Sequence, residues 1–183
     1  MTIEQTPLED CFVIHEKVHG DSRGYFIETY NQRDFIAATG LDIEFVQDNQ
    51  SRSSKGVLRG LHMQHGSSAQ AKLVRVVEGV VLDIAVDLRK NSPSFGKHFG
   101  IELTANNHKQ FFVPAGFAHG FVVLSETATF FYKVDKFYEP GNEVGIIYND
   151  KDLNIDWKLS AAEIILSEKD KNLGSFADYA ASL

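Results

Sequence analysis

Pro114-Ala115-Gly116-Phe117-Ala118-His119-Gly120-Phe121 is a turn that feeds a strand. Proline fixes the backbone at the start of the corner, and glycine frees it at the end. Side chains alternate along a strand, so Phe117, His119 and Phe121 share one face. Upstream, Gly56 precedes Leu58-Arg59-Gly60-Leu61-His62-Met63-Gln64, in which Gly60, His62 and Gln64 share a face. Two β segments thus aim one histidine each.

Around them lie short apolar runs separated by Gly, Asn, Asp and Pro: Cys11–His15, Gly24–Tyr30, Ile43–Gln47, Lys72–Val77, Val80–Leu88, Phe99–Leu103, Gln110–Val113, Gly120–Leu124, Thr127–Val134 and Val144–Tyr148. Many strands at short spacing, with little helical periodicity, predict an all-β sandwich or barrel. With its two histidine-bearing strands, the pattern is that of a double-stranded β-helix, the cupin type of jelly roll. Asn31 is placed to cap a helix over Gln32–Thr39 that ends at Gly40. Ser160-Ala161-Ala162-Glu163 has the form of a capping box opening a short helix. No repeat, low-complexity tract or linker divides the chain, which predicts one domain over residues 1–183.

Composition narrows the function. The chain is 43% hydrophobic with a net charge of −7, which suits a folded protein with a full core and argues against a general nucleic-acid binder. A few placed cations still suffice for a small anionic ligand. Cys11 is the only cysteine, so neither an internal disulfide nor a CxxC zinc site is available. The first residues lack a basic and apolar leader, and no run is long enough to span a bilayer. A soluble cytoplasmic protein is expected.

A metal-binding cupin needs a His-x-His pair, a nearby Glu and a third His after the Pro-x-Gly turn. Here Gln64 stands at the second position, and no Glu follows before Glu78. His65 falls on the opposite face from His62. Two imidazoles are too few for a dedicated transition-metal site, so none is expected. Lys72 shares a face with Val74 and Val76, and Tyr132 alternates with Phe130 and Val134. Taken singly, Lys72 also fits a strand-end residue reaching solvent, and Tyr132 and His62 also fit core side chains. Their convergence favours chemistry.

Several stretches together carry a resemblance. They are Val57–Gln64, Pro114–Phe121 and Tyr132-Lys133-Val134-Asp135-Lys136-Phe137-Tyr138-Glu139-Pro140, with Gly20-Asp21-Ser22-Arg23-Gly24-Tyr25-Phe26 near the start and Leu166-Ser167-Glu168-Lys169-Asp170 near the end. The chain resembles the dTDP-4-dehydrorhamnose 3,5-epimerases along essentially its whole length. The resemblance implies a metal-free, cofactor-free homodimeric cupin acting on a dTDP-linked 4-keto-6-deoxy sugar, with no nucleic-acid or membrane partner. His62 matches the family's base, and Asp170 the carboxylate that orients it. Lys72 resembles the cation facing the enolate oxygen, and Tyr132 the acid on the far face. Arg23, Arg59 and Lys169 resemble the diphosphate contacts. Glu28, Gln47, Asp48 and Asn49 resemble the polar set around the nucleotide. Tyr138 resembles the aromatic that stacks on thymine, while His119 and Glu143 match ligand contacts.

The chemistry accounts for those residue types. Inverting a carbon beside a ketone means removing a proton, holding an enolate and returning a proton to the other face. One conflict of parity remains: Arg59 and His62 are three apart, so a regular strand would separate them. A bulge at Gly60 would unite them. An epimerase inverting one carbon, a metal-dependent cupin enzyme and a non-catalytic sugar-nucleotide binding module are the alternative readings.

Overall fold

A computed structural model describes residues 1–183. Its strands are β1 (Thr2–Gln5), β2 (Phe12–His15), β3 (Val18–Asp21), β4 (Gly24–Ile27), β5 (Gln47–Ser54), β6 (Leu58–Gln64), β7 (Lys72–Glu78), β8 (Val80–Asp87), β9 (His98–Thr104), β10 (Lys109–Val113), β11 (Phe117–Val123), β12 (Thr127–Val134) and β13 (Glu143–Gly145). A six-stranded sheet runs in the order β1-β2-β10-β7-β12-β5, and a five-stranded sheet runs β13-β6-β11-β8-β9. Every pairing between these strands is antiparallel. This is the cupin-type jelly roll that the strand pattern predicts.

Alternation decides which side chains go inside. Val74 and Val76 of β7 and Phe130 of β12 meet Val81, Phe117 and Phe121 from the other sheet in one buried cluster. Burying an aromatic or branched aliphatic side chain of this kind contributes roughly 1.5–3 kcal/mol. A second cluster lies outside the five-stranded sheet, where Leu58, Leu61 and Met63 pack under Leu153 and Trp157. A third sits outside the six-stranded sheet and joins Phe12, Ile14 and Phe112 to Phe35. Phe35 comes from helix α1 (Gln32–Thr39), which starts on the Asn31 side chain and ends at left-handed Gly40, as its sequence predicts.

Three expectations change. The Ile43–Gln47 run is not a strand, because its apolar side chains fold back onto the third cluster; β5 begins at Gln47 instead. The Ser160–Glu163 box forms its contacts but opens no helix. Two residues later Ile165 bonds Gly56 and Leu58 beside a parallel bridge to Val57, and this extended tether stops helical propagation. The strands at Thr2–Gln5 and Val18–Asp21 carry no strong apolar alternation and escape the sequence pattern. Cys11 is buried, its Sγ donates to the Phe112 carbonyl, and burial pushes its thiol pKa well up, so it is inert. No helix is long and apolar enough to cross a membrane.

Candidate active site

The bulge is present. His62 of β6 stands opposite His119 of β11, but Arg59 stands opposite Phe121, so three steps on β6 match two on β11. Gly60 adopts a φ of 126° within it. A Cβ on Gly60 would lie 2.5 Å from the Gly120 Cα, and one on Gly120 would lie 2.7 Å from the Arg59 carbonyl oxygen. Only glycine at both positions lets the two backbones approach this closely. The consequence is that Arg59 and His62 both line the same cavity.

That cavity encloses about 590 Å³ between the sheets. The six-stranded sheet supplies Asn49, Ser51, Lys72, Phe130 and Tyr132, and the five-stranded sheet supplies Arg59, His62, His119 and Phe121. Residues of the 165–170 segment, including Lys169 and Asp170, form part of its wall. Helix α2 (Glu168–Lys171) starts on the Ser167 side chain, which accepts from the Asp170 N–H, and this seats the Asp170 carboxylate under the sheet.

Asp170 Oδ1 lies 2.5 Å from His62 Nε2, which leaves Nδ1 as the imidazole nitrogen not held by that carboxylate. Glu143 Oε1 is 3.7 Å from Nδ1. Burial pulls the His62 pKa below its ordinary value, against the opposing pull of Asp170 and Glu143. The ring is therefore neutral near pH 7 and able to accept a proton. Across the cavity, burial raises the Tyr132 pKa while the Arg59 guanidinium opposes the rise, so the phenol keeps its proton. Lys72 makes no side-chain hydrogen bond or ion pair; burial pushes its ammonium down to about 8, with Asp83 and Glu143 pulling the other way. It remains largely cationic at neutral pH and is free to meet a developing oxyanion.

Glu143 gathers several of the other residues. Lys169 bonds its Oε1, and the Tyr138 hydroxyl donates to its Oε2 at 3.2 Å. Burial raises the Glu143 pKa, but the contacts with Lys169, His62 and Tyr138 outweigh it and hold the carboxyl below its usual range.

Some expected residues stand apart. Arg23, on the β3–β4 hairpin, is 88% exposed and paired with Asp21, and Glu28 accepts from Asn31. Gln47 bonds Asn49, which reaches the cavity, whereas Asp48 holds Lys133 through a 2.8 Å ion pair. The structure also shows a group that the sequence reading missed. Asp83 is fully buried and its Oδ1 lies 2.8 Å from His119 Nε2, while its Oδ2 has no partner. Its signal was an acidic residue inside the apolar run Val80–Val86, because a buried charge requires a partner. Phe121 and Phe130, stacked with centroids 4.2 Å apart, form the apolar wall beside it.

Comparison with known proteins identifies the family. Residues 5–178 match the family model described as dTDP-4-dehydrorhamnose 3,5-epimerase. The chain is 52% identical over 178 residues to the dTDP-4-dehydrorhamnose 3,5-epimerase of Pseudomonas aeruginosa, covering 97% of each chain. It superposes with a TM-score of 0.94 on the crystal structure of the Elizabethkingia anophelis NUHP1 enzyme of that name, at 58% identity and 97% coverage of both. It is also similar to the dTDP-6-deoxy-D-glucose-3,5-epimerase of Legionella pneumophila Philadelphia 1, solved in complex with dTDP-4-keto-L-rhamnose. That match has a TM-score of 0.92 and 43% identity, and covers 97% of this chain and 96% of the other.

Proposed function

The chain belongs to the dTDP-4-dehydrorhamnose 3,5-epimerase family, and from that premise we propose how its cavity performs the reaction. It is an isomerase that epimerises dTDP-4-dehydro-6-deoxy-D-glucose at C3 and C5 to dTDP-4-dehydro-L-rhamnose, in dTDP-L-rhamnose biosynthesis. The observation that carries the assignment of roles is the His62–Asp170 contact on one sheet facing Tyr132 on the other.

A sugar between the sheets presents opposite faces to His62 and Tyr132. His62 removes the proton beside the C4 ketone through Nδ1, and the Asp170 carboxylate steadies the imidazolium that forms. Electron density moves onto the C4 oxygen, where Lys72 supplies a preorganised positive charge. His119, whose Nε2 is taken up by Asp83, lines the cavity beside it. Tyr132 then delivers a proton to the far face. Arg59 and Lys169 suit the diphosphate, since guanidinium and ammonium groups pair with phosphate oxygens. Tyr138 offers a ring for thymine, and Glu143 and Asn49 offer polar contacts to the nucleotide. Gln47 and Asp48 extend that polar edge along β5.

Residues 1–183 act as one catalytic unit in a cytoplasmic homodimer. Support for the dimer comes from the β3–β4 hairpin, whose strands pair only with each other and leave Tyr25 62% and Phe26 68% exposed. A second copy would cover these rings and receive Arg23 and Glu28 in its own cavity.

The deciding experiment is incubation with dTDP-4-keto-6-deoxyglucose in heavy water, followed by NMR. Deuterium at both C3 and C5 is expected. Label at one carbon would replace the double inversion by a single one, and label at neither would overturn the epimerase reading.

A further inference from the structure

A double inversion with one base and one acid creates a demand that the first inversion leaves unmet. After it, His62 is an imidazolium and Tyr132 a phenolate. Neither can act at the second carbon until one proton has left His62 and one has reached Tyr132. The balance closes with a single net transfer: the N–H bond at His62 breaks, an O–H bond forms at Tyr132, and no other reactant is consumed.

Beside the main cavity lies a smaller recess of about 120 Å³, bordered by His62, Gln64, Lys72, Tyr132, Tyr138 and Glu143. Base and acid therefore share a second space besides the one that receives the sugar. Its volume accommodates a short chain of waters at roughly 30 Å³ each, and its walls are polar enough to hold them. Gln64 is only 4% exposed, and its Oε1 accepts from the Glu139 N–H. That bond fixes the carboxamide so that Nε2, a buried donor, has no protein partner. A buried donor without a partner is the kind of group that an ordered water satisfies.

We propose that this recess is a proton relay, ordered by Gln64, that returns the proton from His62 to Tyr132 while the sugar stays bound. The inference rests on the double inversion set out above. Glu143 Oε1, 3.7 Å from His62 Nδ1, stands at the exit from the imidazolium. The direction of travel is favourable, because burial makes the imidazolium more acidic and the phenolate more basic. Gln64 is a positioning residue here, acting through the water chain and not on the sugar.

The test follows single turnovers in heavy water for the unaltered protein, Gln64→Met and Gln64→Glu, with dTDP binding checked for each. In Gln64→Met the first inversion should stay within about threefold while the second slows by about tenfold or more, so that singly inverted sugar accumulates. Gln64→Glu keeps the acceptor for Glu139 and a group that passes protons, and it should retain the second inversion within about threefold. In the unaltered protein, the second inversion should show the larger solvent isotope effect. Equal slowing of both inversions in Gln64→Met, normal doubly inverted product from it, or equal isotope effects would overturn the relay. Label at only one carbon in the unaltered protein would instead overturn the double inversion itself, and the relay with it.

Discussion

His62–Asp170 and His119–Asp83 are the same contact made twice, an imidazole Nε2 against a carboxylate, on residues that face each other across β6 and β11. Their surroundings differ. Asp83 lies on β8, next to β11 in the same sheet, and the pair is sealed in the wall. The His62 side chain is 25% exposed, and its carboxylate arrives on a short helix 108 residues further along the chain. An imidazole that must gain and lose protons needs an open nitrogen and a route to solvent. One whose nitrogen only holds a buried carboxylate needs neither. The contrast shows that an imidazole–carboxylate pair takes its role from access, not from the contact itself.

The largest effect should come from removing the open member. His62→Asn is expected to lower deuterium exchange at both carbons by roughly 10⁴-fold, with dTDP affinity nearly unchanged by titration calorimetry. Asp170→Asn keeps the shape but not the charge that holds the imidazole, and a loss of roughly 10³-fold in kcat is expected. His119→Asn takes the partner from a buried carboxylate instead of removing a base, so exchange should persist with a loss of roughly 10²-fold. If His119→Asn proves as damaging as His62→Asn, the contrast between the two pairs collapses.

A finer test uses pH. His62 must be neutral to act, and burial holds its pKa down, so the acid limb of kcat/KM should fall below the ordinary histidine value of about 6.5. Asp170 and Glu143 both oppose that shift. Replacing Glu143 by Gln should therefore move the acid limb to still lower pH, and a movement upward would remove Glu143 from the electrostatics of the base. The smallest effect sought is on the frame. Gly60→Ala forces a methyl against Gly120 and should cost about 1–3 kcal/mol, read as a lower melting temperature.

Much of the barrel was legible because alternation and burial are the same fact seen twice. Lys72 beside Val74 and Val76, or Tyr132 beside Phe130, told which way each would point. The Gly60 bulge was legible as a contradiction: Arg59 and His62 could not share a face on a regular strand. By contrast, Gln47–Ser54 is an edge strand made of Gln, Asp, Asn, Ser and Arg, and its identity comes from pairing with β12 and not from its own composition. Ser160–Glu163 showed the reverse failure, a local signal overruled by a tether two residues later. The meeting of Asp170 with His62 could not be read from spacing at all. It depends on where the last segment crosses the sheet, and only the family resemblance indicated it.

That crossing has a consequence for how the protein comes into being. Ile165 bonds Gly56 and Leu58, Ile147 bonds Gly174, and the residues between carry Asp170 to the base. During synthesis every strand of both sheets emerges before this segment does. A nascent chain halted at Ser160 would hold His62, Lys72 and Tyr132 but no group to orient the imidazole. Competence for catalysis thus waits until the segment that carries Asp170 has been made and laid against the five-stranded sheet.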